Sequence, residues 1–102
     1  MGETSRTATY ATKLRAQGLW VLNVPGGPDV PAGVPDLLVC VDGRFLAIEM
    51  KSAIGRTTRV QEYQLQKIRD AGGTAVVCRT WKDVQDATQS REEEAGAEGL
   101  ES

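Results

Sequence analysis

The sequence predicts a single α/β domain with the element order αβββαβα, built around a sheet covered on both sides. Three observations predict it. Short runs rich in β-branched and aromatic residues alternate with stretches of helical period. The two central runs, residues 37–41 and 44–49, are apolar on both pleat faces, as a strand needs when neither face meets water. The chain has 102 residues, enough for one modest core and no second module.

The elements follow in order. Residues 4–17 carry Thr7, Tyr10, Ala11 and Leu14 at helical spacing, with Gly18 as the stop. LWVLNV, residues 19–24, is the first strand. All four prolines fall in residues 25–35, which excludes regular structure and suggests a mobile loop or hinge. Residues 33–51, GVPDLLVCVDGRFLAIEMK, form a hairpin, with Asp42-Gly43 as a two-residue type I′ turn. Leu37, Val39, Leu46 and Ile48 line one face and Leu38, Cys40, Phe45 and Ala47 the other. Residues 58–71 place Gln61, Leu65 and Ile68 on one helical stripe, closed by Gly72 and Gly73. TAVVCR, residues 74–79, is a short buried strand, and residues 80–88 form a last helix. Residues 1–89 make the domain. The 90–102 tail has too few large apolar groups to offset ordering and is expected to be disordered.

Composition excludes several function classes. There is no histidine, which removes Ser-His triads and histidine-ligated zinc. Cys40 and Cys78 are too few for a disulfide framework and are expected to be small buried hydrophobes. The longest wholly apolar run, Leu37 to Val41, is far too short to span a bilayer, and no signal-peptide stretch opens the sequence. A cytoplasmic, membrane-free location is the expectation. Up to Val84 there are 11 Lys/Arg against 8 Asp/Glu, and from Gln85 onward 1 Arg against 6 acids. The body is therefore mildly basic despite a net charge of −2, and a nucleic-acid partner is compatible with it.

The candidate site comes from the hairpin register. With Asp42 and Gly43 as the loop, Val41 faces Arg44, and stepping back along both strands puts Asp36 opposite Glu49. Opposed residues have Cβ atoms roughly 5 Å apart, where like charges repel. Alternation puts Lys51 on the same face as Glu49. Two carboxylates at the end of an apolar hairpin need compensation, and a divalent cation with waters and a phosphate supplies it. Lys51 can then neutralise a phosphate oxygen or orient an attacking water. Taken singly, Gly-x-Pro-Asp is an ordinary turn and Glu-x-Lys an ordinary strand edge. Gln61 has two readings of equal weight, a capping-box residue of Thr58-Arg59-Val60-Gln61 or a side chain that reaches a metal-bound water or phosphate over Asp36 and Glu49. Arg56 and Arg59 either contact phosphates or stay solvated. Trp20 and Trp81 are core or rim residues, and Arg6, Lys13 and Arg15 are surface charge or a basic face.

Gly33-Val34-Pro35-Asp36, then Glu49-Met50-Lys51, then Gln61 at the start of a helix ending in Ala71-Gly72-Gly73, resemble the PD-(D/E)XK nuclease superfamily. More narrowly they resemble its virus-type replication-repair nuclease (VRR-NUC) domain, over about residues 18–84. The resemblance implies a restriction-endonuclease-like αβββαβ core, a mixed central sheet with helices on both faces, in a bacterial or phage-type setting. It implies Mg²⁺- or Mn²⁺-dependent hydrolysis of DNA phosphodiesters, with Asp36, Glu49 and the Met50 carbonyl as metal ligands, Lys51 as catalytic lysine and Gln61 as the helix-borne glutamine. A structure-selective endonuclease acting as a homodimer on branched, Holliday-junction-like DNA follows. Such domains carry a glutamate in the first helix, whereas TSRTATYATKLRAQ has none and only Glu3 lies upstream. That departure motivates the alternative of a catalytically weak or inactive nucleic-acid-binding module of the same fold. A third reading is an interaction protein whose acidic tail docks a basic partner or covers its own body.

Overall fold

The chain folds from the hairpin outward. In the computed structural model, which describes residues 3–89, strands β2 (Leu37–Val41) and β3 (Arg44–Met50) pair antiparallel from Leu37↔Ile48 to Val41↔Arg44. This is the predicted register. Asp42 (φ 50°) and Gly43 (φ 78°) both take the left-handed conformation that a type I′ turn demands. Strand β1 (Trp20–Asn23) pairs antiparallel with β2, and β4 (Thr74–Cys78) pairs parallel with β3. The mixed sheet has the order β1-β2-β3-β4. Helices α1 (Glu3–Ala16), α2 (Arg59–Asp70) and α3 (residues 81–89) complete an α/β restriction-endonuclease-like domain.

Helices cover both faces, unequally. Ala11 and Leu14 of α1 and Val84 and Ala87 of α3 pack with Leu37, Val39, Val41, Leu46, Ile48 and Met50 in one core. Trp81 packs against this core, its ring 5.2 Å from that of Tyr10. On the other face Leu65 of α2 meets Ala47 and Ala75, with Leu38, Ile68 and Val77 around them. The sheet is covered on both sides as expected, but not over its whole α2 face. α2 is 12 residues long and lies over β3 and β4, so the row Trp20, Cys40 and Phe45, paired across β1 to β3, stays open. Trp20 is 62% and Phe45 46% exposed. Cys40 is exposed too, so only Cys78 is the buried thiol expected of both.

Other expectations shift for local reasons. β4 pairs with β3 alone and is an edge strand, only Ala75 and Cys78 of it being buried. Arg69 occupies part of its free edge, donating from Nε and Nη2 to the Ala75 carbonyl. The proline-rich loop is tied to α2 near the loop's own C-terminal end. Gln64 donates to the Ala32 carbonyl, and Gly33 (φ 80°) lies so close to α2 that a Cβ would stand 2.5 Å from the Val60 side chain. The basic groups of α1 are used internally: Arg15 donates to the Val21 carbonyl and Lys13 lies over the Trp81 ring. No helix among the described residues is long and apolar enough to cross a membrane. The acidic tail lies outside the described residues.

α3 begins with a reciprocal cap. The Thr80 hydroxyl accepts the Asp83 N–H, and the Asp83 carboxylate accepts the N–H groups of Arg79 and Thr80. The Arg79 N–H first, and the backbone and side-chain hydrogen bonds of Thr80 after it, hold the Asp83 carboxyl below its usual range. The stability this contributes is present above the ordinary carboxylate pKa and is lost as pH falls through the lowered folded value. Asp83→Asn is therefore expected to lower the melting temperature at neutral pH and to flatten its decline on the acid side, as read from thermal melts across pH.

The two thiols separate as sharply. Burial, with Asp83 and Asp86 nearby, pushes the Cys78 thiol up to about 12. A chromogenic disulfide reagent at mildly alkaline pH is expected to titrate Cys40 quickly in the native protein and Cys78 only after denaturant is added.

Candidate active site

The C-terminal end of β3 gathers the chemistry. Glu49 is buried, 3% exposed, on the pleat face that α2 covers. Removing a carboxylate from water is costly unless polar partners replace the water. Gln61 Nε2 donates to Glu49 Oε2 at 3.2 Å, and Lys51 Nζ stands 3.8 Å from the same oxygen. Both contacts depend on local sequence. Alternation in an extended strand brings residues 49 and 51 to one face, and the first turn of α2 brings Gln61 over it.

At the α2 N-terminus Gln61 makes the capping box, and the same amide also reaches Glu49. Its Oε1 accepts the Thr58 N–H and its backbone N–H is accepted by the Thr58 hydroxyl, a complete capping box. The remaining Nε2 is then fixed in direction and points at Glu49. Thr57 and Glu62 are hydrogen-bonded beside it.

Asp36 lies one step beyond the β2–β3 ladder, opposite Glu49 in the register. Its carboxylate takes a different partner from Glu49's: Oδ2 accepts the Met50 N–H at 2.8 Å, and its carbonyl accepts the Val24 N–H. The like-charge opposition expected from the register is thus eased by separate partners. In a strand the N–H and C=O of one residue leave on the same edge, so the Met50 carbonyl also faces the Asp36 side. The set is two carboxylates and a carbonyl, hard oxygen donors suited to Mg²⁺ or Mn²⁺. Among the described residues no three of His, Cys, Asp and Glu stand together as a larger metal cluster. A cleft of about 270 Å³, lined by residues 24–27 and 30–36, opens beside Asp36. Arg56 and Arg59 are exposed between β3 and the first turn of α2.

Two functional-site neighbours escape sequence reasoning. Arg6 of α1 donates from Nη2 to the Lys51 carbonyl (3.0 Å) and from Nη1 to the Arg79 carbonyl (2.6 Å). Arg79 donates from Nη1 to the Ser52 and Gly55 carbonyls, both at 2.6 Å. These guanidiniums fix the segment that carries the lysine. Their partners are backbone carbonyls up to 73 positions away, which leave no local signal in the sequence.

Comparison with known proteins identifies relatives of the whole fold. The family model of the archaeal Holliday junction resolvase (Hjc) matches residues 7–87. A solved structure described as a VRR_NUC domain is 24% identical, with a TM-score of 0.68 over 84% of this chain and 94% of its own. A second, a VRR_NUC domain protein, is 25% identical, with a TM-score of 0.60 over 69% of this chain and 64% of its own. No curated protein matches the sequence.

Because the Gly33 backbone touches Val60, it sets how closely α2 approaches the hairpin. Gly33→Ala both strains a left-handed position and drives a methyl into Val60. The expected loss is about 1–3 kcal/mol in urea-denaturation stability, whereas Gly26→Ala, with open space around it, should shift the midpoint far less.

Proposed function

The chain belongs to the archaeal Holliday junction resolvase family and has a VRR-NUC-type fold, and from this premise we propose that it is a divalent-cation-dependent endonuclease that hydrolyses phosphodiester bonds in branched DNA. The observation that carries the reading is the buried Glu49, held by Gln61 and Lys51 at the strand end where Asp36 and Met50 meet. On this reading Asp36, Glu49 and the Met50 carbonyl hold one Mg²⁺ or Mn²⁺, which supplies Lewis-acid charge at the phosphate when bound. Lys51 Nζ orients the attacking water or donates to a non-bridging phosphate oxygen. The water oxygen bonds to phosphorus, one ester P–O bond breaks, and the departing oxygen takes up a proton. Gln61 holds the Glu49 carboxylate in one orientation while its other end caps α2. Arg56 and Arg59 contact flanking phosphates. Pairing of two copies about a two-fold axis would give the two cuts that resolve a junction.

A second reading, a binding module of the same fold with weak or no catalysis, is favoured by α1. Its only acid is Glu3, the first residue of the helix, and residues 4–16 supply no carboxylate for a second metal site.

A cleavage panel of junction, flap, duplex and single-stranded DNA with Mg²⁺, Mn²⁺ or chelator separates the two. We expect metal-dependent cutting strongest on the junction, and a loss of at least about 100-fold in Asp36→Asn and Lys51→Ala. Tight junction binding with no cutting at any metal concentration would establish the binding module instead. Undiminished cutting by both variants would exclude this site.

A further inference from the structure

The turn that follows Lys51 is rigid, and an isoleucine stands at its tip. The Gly55 N–H is donated to the carbonyl and to the hydroxyl of Ser52 (3.2 and 3.0 Å), closing the turn on itself. Arg79 then grips both arms from behind through the Ser52 and Gly55 carbonyls, and Arg6 holds the Lys51 carbonyl one residue earlier. Gly55 suits this tightness, since a Cβ there would lie 2.9 Å from the Ser52 hydroxyl oxygen. Between the anchored ends is Ile54, 91% exposed, ahead of every other exposed large apolar side chain of the described residues.

An exposed apolar residue by itself carries no meaning. This one is different in three respects. Turn tips favour Gly, Asn, Asp and Ser for conformational and hydrogen-bonding reasons, and isoleucine supplies neither. The turn is fixed by side chains from α1 and from the end of β4, so Ile54 is projected in a set direction. It also stands three positions after Lys51 and just before the exposed Arg56 and Arg59, where a DNA backbone engaged at the site would run.

A rigid apolar side chain flanked by cations matches one piece of nucleic-acid chemistry, insertion between base steps. Unstacking a continuous duplex costs a few kcal/mol per step. At a branch point the strands exchange between arms and a base step lacks the continuous pairing that holds it on both sides in a duplex, so opening that step costs less there. We propose that Ile54 is a wedge that enters a base step at a DNA branch point, so that the turn of residues 52–55 makes the protein select branched over continuous duplex. The inference rests on the nuclease reading for its substrate class and adds the residue that discriminates within that class.

The test uses the full chain with Ca²⁺ in place of Mg²⁺, on a four-way junction and a matched linear duplex carrying 2-aminopurine at the same position beside the branch. Wild type is expected to raise the fluorescence of the junction probe. Ile54→Leu should retain the rise, and Ile54→Ala should lose it and lower the ratio of junction to duplex affinity about tenfold, or about 1.4 kcal/mol. The side chain is in solvent, so equal melting temperatures are expected for all three. An unchanged rise and affinity ratio in Ile54→Ala would overturn the proposal. So would a change in sedimentation of that variant without DNA, which would make Ile54 a contact between copies. Cutting by wild type in Mg²⁺, measured separately, keeps the two ideas apart: cutting without an Ile54-dependent rise removes the wedge alone, and an Ile54-dependent rise without cutting removes the nuclease reading alone.

Discussion

A carboxylate held out of water at Glu49 governs the architecture of this domain. Its burial requires partners that are themselves immobile, because a donor that wanders leaves the charge uncompensated for part of the time. Gln61 meets the requirement by being anchored at both ends of its amide, to Thr58 on one side and Glu49 on the other. That anchoring sets where α2 starts. The start in turn fixes how closely α2 lies on the proline-rich loop, where a glycine at position 33 is needed for the backbone to fit beneath Val60. A cap, a close approach and a buried charge are thus one connected constraint.

The opposite face solves a different problem. α1 and α3 bury an apolar core and also send Arg6 to the sheet end, where with Arg79 it satisfies carbonyls that the short β4 leaves unpaired. Guanidiniums suit the task, having several donors in a rigid plane and never losing their charge. Lys51 therefore has a fixed backbone and a side chain directed toward Glu49. The chain places positive groups at this end of the site, and Glu3, the first residue of α1, is that helix's only acid.

Much of this was legible in the residues. The Asp42-Gly43 pair set the turn, the turn set the register, and the register brought Asp36 and Glu49 to one end of the hairpin, because each step is local and geometric. The capping role of Gln61 was legible, and only packing shows that the same amide also bonds Glu49. The Met50 N–H as the partner of Asp36 was not legible, since alternation describes side chains and says nothing of a carboxylate that turns back to the backbone. Nor was the openness of Cys40, Phe45 and Trp20. Apolar character marks a residue that can be covered, while coverage depends on how far a 12-residue helix extends over four strands.

The parallel pairing of β3 with β4 has a consequence for how the molecule acquires its chemistry. Asp36 and Met50 are 14 positions apart and are joined by a hairpin that closes locally, whereas Arg79 reaches Ser52 across 27 positions and Arg6 reaches Arg79 across 73. Loop-closure entropy delays the longer-range contacts. A nascent or partly melted chain would thus bring its acids together while the lysine segment is still loose, and the complete constellation arises only with the finished topology. On the nuclease reading proposed above, competence to act on a phosphodiester would be tied to the last contacts to form, and nucleic acid would be spared by an immature protein.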